Sequence, residues 1–379
     1  MEKSKKIAFI YMGRTGGGAV YSYEMAKGLI SNGAKLYIFI SKYIENYEKW
    51  LDLDAVCLES VPTYTNKINF VLNTLKFRLF TYQKIKKKFK NVKVDACYLS
   101  MAKEHPWDRY FVNMFGKVQQ IATIHDPIAH SSNKINGKLL SIASAILNLG
   151  IKDRKPDDIV ILSKCFVEHI QKSFKLNLAN IHVIPHGIID YYNESEHNKI
   201  QHIYDDSKIN FLFFGRIEKY KGLDLLADAF RKISSSNSSF ALTIAGNGDF
   251  SYYKNLYNGL PNVAIENRWI KDEEIASFFN PKSNVILVLP YLDATQSGPV
   301  LIAMSNKVPV IVSNAGGLIE QVEDKKTGFV FEKSNVDELV KTMLFVSSRN
   351  NSDVVENACR FVKTLTWEEL CKKVLGVIK

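Results

Sequence analysis

Cysteine is scarce in this 379-residue chain, and the little there is does not pair. Cys57, Cys97, Cys165, Cys359 and Cys371 are odd in number and scattered, so they mark neither a disulfide framework nor the close-spaced thiols of a zinc site. They read as small core residues of a reducing compartment. Long apolar runs are missing too, and without about 20 consecutive apolar residues no segment is suited to span a bilayer as a helix. The charged start, Met1 to Lys6, leads into the strand-length run Ile7 to Met12 and then into glycines, so no secretory leader is expected and the cytoplasm is the expected compartment. Catalytic signatures are absent as well: there is no Gly-x-Ser-x-Gly elbow and no phosphate-loop lysine. No pair of carboxylates stands out as the acid and nucleophile of a retaining glycosidase. Nor does a stacking-aromatic or recognition-helix pattern point to nucleic acid.

What is present is length, apolar residues and positive charge. With 46% hydrophobic residues, the chain exceeds one ordinary core and suits two domains of roughly 150 to 200 residues. The net charge of +11 is uneven: up to Asp190 there are 28 Lys and Arg against 16 Asp and Glu, and beyond it 22 against 23. A basic first half suits an anionic neighbour, either a membrane surface or a charged acceptor. Its densest piece is Lys76 to Lys93, where Lys84, Lys86, Lys87, Lys88 and Lys90 interleave with Leu75, Phe77, Leu79, Phe80, Ile85 and Phe89. Two readings stay open there: a helix lying on anionic lipid, or a solvated helix whose apolar side packs on its own domain.

Short apolar runs alternate with helix-length segments, the pattern of parallel strands joined by crossover helices. In the first half the strand candidates are Ile7 to Met12, Leu36 to Ile40, Ala96 to Ser100, Gln120 to His125, Asp158 to Leu162 and Ile181 to Ile184. The segment Pro185 to Asp190 and the polar stretch Tyr191 to Ser207 interrupt the series and read as a linker. A second series then follows: Asn210 to Gly215, Phe240 to Ala245, Val263 to Ile265, Asn284 to Leu289, Val308 to Ser313 and Gly328 to Phe331. Helices are expected over Gly222 to Ser234, Asp272 to Asn280, Val300 to Ser305 and Val336 to Val346. The fold class is therefore α/β, with two doubly wound parallel-sheet domains over 1–190 and 191–365. Thr366 before Glu369 caps a closing helix over 366–379, which is free to cross back to the first domain.

Five loops carry chemistry. Gly13-Arg14-Thr15-Gly16-Gly17-Gly18 joins a buried strand to a helix start, where free N–H groups and a positive dipole end suit an anion or a sugar ring, although it lacks the full dinucleotide fingerprint. Gly215-Arg216 to Lys221-Gly222 follows a buried strand, and its two cations, five positions apart, can both address one pyrophosphate: a guanidinium through paired bonds, an ammonium as a point charge. Asp293-Ala294-Thr295-Gln296-Ser297-Gly298-Pro299 precedes an apolar helix, so the N–H groups and hydroxyls of Thr295 to Gly298 are expected to converge on an anion without a metal. Asn314-Ala315-Gly316-Gly317-Leu318-Ile319-Glu320 sets a carboxylate, Glu320, on a helix after a double-glycine turn. Thr123-Ile124-His125-Asp126 puts an imidazole at a strand end, where it can bond a sugar hydroxyl.

With these segments in view, the chain resembles glycosyltransferase family 4, the retaining enzymes of the GT-B fold. The matching segments are Gly215-Arg216, Lys221-Gly222, Ile244-Ala245-Gly246-Asn247-Gly248, Pro299-Val300-Leu301, Ala303-Met304, Val308 to Ile311, Gly316 to Glu320, Ile184 to Ile188 and Gly16-Gly17. The resemblance runs from residue 7 to about 340. It implies two Rossmann-like domains facing a cleft and transfer of a hexose from a UDP- or GDP-linked donor. The acceptor it implies is a saccharide or a lipid-linked saccharide, in surface polysaccharide or lipopolysaccharide assembly, at the inner face of a membrane. Arg216 and Lys221 would hold the diphosphate. Gly215, Gly246, Thr295, Gln296, Ser297, Gly298 and Glu320 would line the donor site, His125 would face the donor sugar, and Gly16, Gly17 and Asp126 would lie on the acceptor side. No metal or other cofactor is implied. Asp52-Leu53-Asp54 imitates the metal motif of the other glycosyltransferase fold but has no second ligand set.

The chain departs from the family at two positions where glutamates are usual, here Ala294 and Ile302. Neither can bond a sugar or ribose hydroxyl. The Ala-Thr-Gln-Ser-Gly loop resembles a variant subgroup, and Glu320 is the substitute for the ribose contact. Two other functions fit some of these features: a sugar-nucleotide epimerase of the same architecture, and a basic polyanion- or membrane-binding protein without catalysis.

Overall fold

Runs such as Ile7-Ala8-Phe9-Ile10 and Phe211-Leu212-Phe213 have no polar face, so they are satisfied only between two layers of helices. In the computed structural model both lie centrally in parallel sheets, and all of these residues are buried. The structure describes residues 4–102, 107–127, 154–189, 204–235 and 238–379. The chain forms two units, Met1–Gly187 together with Trp367–Lys379, and Ile188–Thr366. Most of the stretch read as a linker, residues 190–203, lies outside the described residues.

The first unit is built on strands β1 (Lys6–Tyr11), β2 (Lys35–Ser41), β3 (Cys57–Val61), β4 (Ala96–Leu99), β5 (Gln119–Ile124), β6 (Asp158–Ile161) and β7 (Ile181–Val183). Their order is β3-β2-β1-β4-β5-β6-β7, parallel throughout, with Ile7 opposite both Leu36 and Ala96. The edge strand β3 is the one the apolar pattern misses. Half-buried residues such as Glu59 and Ser60 give it no continuous apolar run, as suits an edge. The closing helix Trp367–Val377 packs on the Gly17–Ser31 helix so tightly that a Cβ on Gly28 would lie 2.7 Å from Cys371 Sγ.

The basic stretch folds as one continuous element: a helix over Lys67–Lys76, a π-helical turn over Phe77–Thr81 and a helix over Tyr82–Lys88. Phe77, Tyr82, Ile85 and Phe89 point into the core, where Phe77 stacks on Trp107 with ring centroids 4.9 Å apart. Leu79 and Phe80 stay outside. The structure therefore divides the apolar residues of this stretch between an inner and an outer face.

The second unit uses β8 (Ile209–Phe214), β9 (Phe240–Ala245), β10 (Val263–Glu266), β11 (Val285–Leu289), β12 (Val310–Ser313) and β13 (Phe329–Phe331), in the order β10-β9-β8-β11-β12-β13, again all parallel. β12 starts after Pro309, which has no N–H for a ladder bond but accepts one from Leu287. The strand order reverses between β8 and β11, the topological switch point at which open α/β sheets bind ligands beyond their carboxyl ends.

Past that edge β8 and β9 stay joined. Gly215 N–H donates to Ala245 O at 3.0 Å and Ile217 N–H to Asn247 O at 2.9 Å. Gly246 lies so close beneath the β8 chain that a Cβ there would sit 1.9 Å from Gly215 O, and its φ is +148°. No side chain fits either condition. Gly246→Ala should therefore cost more than about 1 kcal/mol of stability in chemical denaturation. Gly376→Ala, in an ordinary helical conformation with nothing near its Cβ, should leave stability unchanged or raise it by up to about 1 kcal/mol; equal stabilities of the two variants would refute this account of the edge.

Candidate active site

Two loops meet at the switch point of the second unit, one after β8 and one after β11. Leu292 N–H donates to Tyr220 O at 2.7 Å, tying the loops together by main chain. The β8 loop carries Arg216 and Lys221. Arg216 is exposed, its Nη1 3.4 Å from Glu218 Oε1, so it is held loosely and faces water. Lys221 is different: half-buried, it places Nζ 3.7 Å from the ring centroid of Tyr291 and 5.0 Å from that of Tyr220. Burial lowers its pKa, and the Arg216 charge adds to this against the opposing Tyr220 and Glu218. The result is a desolvated cation held on aromatic faces. An incoming anion would relieve both of its penalties.

Beneath Lys221 lies the floor of the β11 loop. Tyr291 is wholly buried, and Thr295 and Ser297 are nearly so. Burial pushes the Tyr291 phenol well above its usual range, tempered by the neighbouring Ser297 hydroxyl. The two hydroxyls are thus close, yet neither completes a hydrogen bond to a described group. Buried hydroxyls without partners are rare because each forfeits its bond to water. Below them, the Ser313 hydroxyl at the end of β12 donates to Tyr291 O.

The expected convergence of main-chain donors needs one correction. Ser297 N–H is not available to a ligand, because it donates to Gln321 Oε1 at 2.8 Å while Gln321 Nε2 donates back to Ser297 O at 3.3 Å. The helix begins only at Gly298, which is half-buried, as is Gln296. Gln321, buried, clamps the loop from the short helix Leu318–Gln321, whereas its neighbour Glu320 is exposed. That helix is itself seated by Gly317 N–H on Ala294 O at 2.9 Å, and a Cβ on Gly316 would meet the same oxygen at 1.9 Å. Ala294 and Ile302 are buried. The structure therefore brings Gly215, Arg216, Lys221, Gly246, Thr295, Gln296, Ser297 and Gly298 to one sheet edge and adds Tyr291 and Gln321. Sequence reasoning passed over both: Tyr291 looks like a core aromatic, and only tertiary packing decides that Gln321, not Glu320, turns inward.

In the first unit, the glycine loop after β1 has already found an anion. Gly16 N–H donates to Glu45 Oε1 at 2.7 Å, Glu45 N–H donates to Arg14 O at 2.8 Å, and the Arg14 guanidinium sits 4.1 Å from the Tyr64 ring centroid. Gly17 is exposed at the helix start. His125, after β5, has its Nδ1 3.6 Å from Asp126 Oδ1 and stands edge-on to Tyr21 and His186, with ring centroids 6.0 and 5.9 Å away. His186 is a partner the sequence did not assign. Its Nδ1 donates to Gly187 O at 2.7 Å, and its ring packs on Tyr21 and Trp367. Burial, with the His125 charge second, lowers its pKa to about 4.

Two family models match nearly the whole chain: Glycosyltransferase Family 4 over residues 15–190 and Glycosyl transferases group 1 over residues 194–359. An uncharacterized glycosyltransferase of Methanocaldococcus jannaschii is 24% identical over 96% of this chain and 94% of its own length. Among solved structures, sucrose-phosphate synthase from Thermosynechococcus elongatus superposes with a TM-score of 0.70 at 17% identity, over 98% of both chains. HepE of Anabaena, solved with UDP-glucose, gives 0.65 at 15%, over 98% of this chain and 99% of its own. These likenesses establish the two-domain GT-B fold.

Two stability measurements follow from the geometry. Gln321→Met leaves Ser297 N–H buried without a partner and should cost about 1 to 3 kcal/mol, while Glu320→Ala should change stability by less than about 0.5 kcal/mol; the reverse ranking would show that the clamp is misidentified. For His186, the unfolded chain takes up the proton first as pH falls. Its contribution is therefore whole above pH 6.5 and is lost on descent toward pH 4, on the order of 3 kcal/mol in all. His186→Gln should flatten that slope in denaturation curves across the window, and an unchanged slope would mean that the imidazole is not held neutral.

Proposed function

The chain belongs to glycosyltransferase family 4, and from that premise we propose that it is a retaining, metal-independent hexosyltransferase using a UDP- or GDP-linked sugar. The observation that carries the reading is Lys221: a partly desolvated cation held 3.7 Å from the Tyr291 ring centroid, with Arg216 on the same loop. A diphosphate supplies the counter-charge that Lys221 lacks. Arg216, exposed, can swing to phosphate oxygens through paired bonds, while Lys221 acts as a fixed point charge. Two such cations can offset the charge that a metal would otherwise balance. The UDP-glucose bound by the structurally similar HepE makes uridine the first nucleotide to test. Glu320 is assigned to the ribose in place of the glutamates absent at Ala294 and Ile302, within the Ala-Thr-Gln-Ser-Gly variant subgroup.

Transfer with retention is assigned to front-face displacement. The acceptor oxygen bonds to the anomeric carbon, the bond from that carbon to the diphosphate oxygen breaks, and the acceptor's proton passes to the departing diphosphate. Arg216 and Lys221 stabilise the charge that develops on it. The basic first unit is assigned the acceptor, a saccharide or lipid-linked saccharide of surface polysaccharide or lipopolysaccharide assembly at the inner face of a membrane. His125 and Asp126, with Gly16 and Gly17, are assigned to the sugar and acceptor side.

Arg216→Ala and Lys221→Ala should each lower kcat by about 100-fold or more, measured as release of nucleoside diphosphate with acceptor present, and EDTA should leave the wild-type rate unchanged. UDP or GDP, and not ADP, should raise the Tm. Near-wild-type turnover in both variants would remove the diphosphate assignment. Epimerisation of the sugar nucleotide without acceptor would transfer the fold to an epimerase.

A further inference from the structure

Between Glu59 and Asp95 the chain has no acidic residue at all, and this stretch forms the helical element Lys67–Lys88 on the first unit. Its inner face is spent on the core through Phe70, Phe77, Tyr82 and Ile85. The outer face is not polar, as a solvated helix would require. Ile68 (72% exposed), Leu72, Leu75, Leu79 and Phe80 (69%) all lie open. Residues 68, 72, 75 and 79 follow the i, i+4, i+7, i+11 spacing of one helical stripe. Lys76, Phe80 and Lys84, at intervals of four, form a second row beside it. The π-helical turn at Phe77–Thr81 widens the helix where the rows meet, so Leu79 and Phe80 emerge together. One turn beyond Gln83, Lys87 closes the stripe.

Of the lysines that the sequence offered for a membrane contact, Lys88 drops out, because it turns back to pair with Glu59. Lys84, Lys86, Lys87 and Lys90 are exposed, as is Lys76, and none of Lys76, Lys84 and Lys87 has an ion-pair partner among the described residues.

We infer that this face docks the first unit on an anionic phospholipid bilayer, with the aliphatic stripe entering the boundary between headgroups and acyl chains and Lys76, Lys84 and Lys87 meeting lipid phosphates. A contiguous exposed apolar face marks an interaction site, and an apolar stripe flanked by cations, on a stretch that itself carries no acidic residue, has the composition that lies on anionic lipid. A second copy of the chain suits it poorly, since apposing two such stripes brings two rows of lysines together. The inference rests on the reading of the enzyme as one that works at a membrane, and it gives that reading a surface.

Flotation with phosphatidylcholine vesicles, with and without phosphatidylglycerol, tests it. The full-length protein should bind only the phosphatidylglycerol vesicles, and added salt should weaken binding. L72S/L79S/F80S and K76Q/K84Q/K87Q should each lower the vesicle partition by on the order of tenfold or more. Both should keep the wild-type Tm and the wild-type thermal shift with UDP. Wild-type protein that ignores anionic vesicles, or triple variants that bind them as wild type does, would overturn the inference. So would a wild-type dimer in light scattering that L72S/L79S/F80S abolishes without any vesicle binding. Loss of vesicle binding in the variants of a protein that shows no response to UDP or GDP would support the docking face while defeating the donor-site reading.

Discussion

At the carboxyl edge of the second sheet, main chain rests directly on main chain. Gly246 lies under Gly215, Gly222 under the Pro290 carbonyl and Gly316 under Ala294, each at a distance that a single Cβ would abolish. Hydrogen bonds from Ile217 to Asn247, from Leu292 to Tyr220 and from Gly317 to Ala294 fasten the same crossings. Loops are ordinarily the freest part of an α/β domain. Here four of them are joined chiefly main chain to main chain, with the Gln321 side chain adding to the fastening.

That fastening explains how an energetically poor arrangement persists. Lys221 loses hydration, and Tyr291 and Ser297 bury hydroxyls without partners. Each is a local cost that only a rigid surround can maintain. Gln321 is part of the surround, because it satisfies both main-chain groups of Ser297 and so fixes the loop without using the Ser297 hydroxyl. These costs are gathered at one place, the carboxyl edge of the second sheet.

The first unit solves a different problem with similar parts. One N–H of its glycine loop, that of Gly16, is taken by Glu45, and its strand-end imidazole belongs to an aromatic cluster of Tyr21, His186 and Trp367 contributed by distant parts of the chain. Its long basic element serves two environments, with one face in the core and the other exposing aliphatic side chains among cations.

Both sheets, most of their strands and the cationic loop at Arg216 and Lys221 were legible in the sequence, because buried parallel strands leave unbroken apolar runs and because glycines punctuate the turns that follow them. The half-polar edge strand β3 left no such trace. Nor did the sequence distinguish Glu320 from Gln321, Lys88 from Lys87, or Phe77 from Phe80. Within each pair residue type and neighbourhood are much alike, and burial depends on which side of a helix faces a surface built by residues far away in the chain. Local periodicity determined the elements and the order of their chemistry; the direction of each side chain, and with it the pocket floor and the outer stripe, was decided only when the packed layers fixed the rotation of every helix.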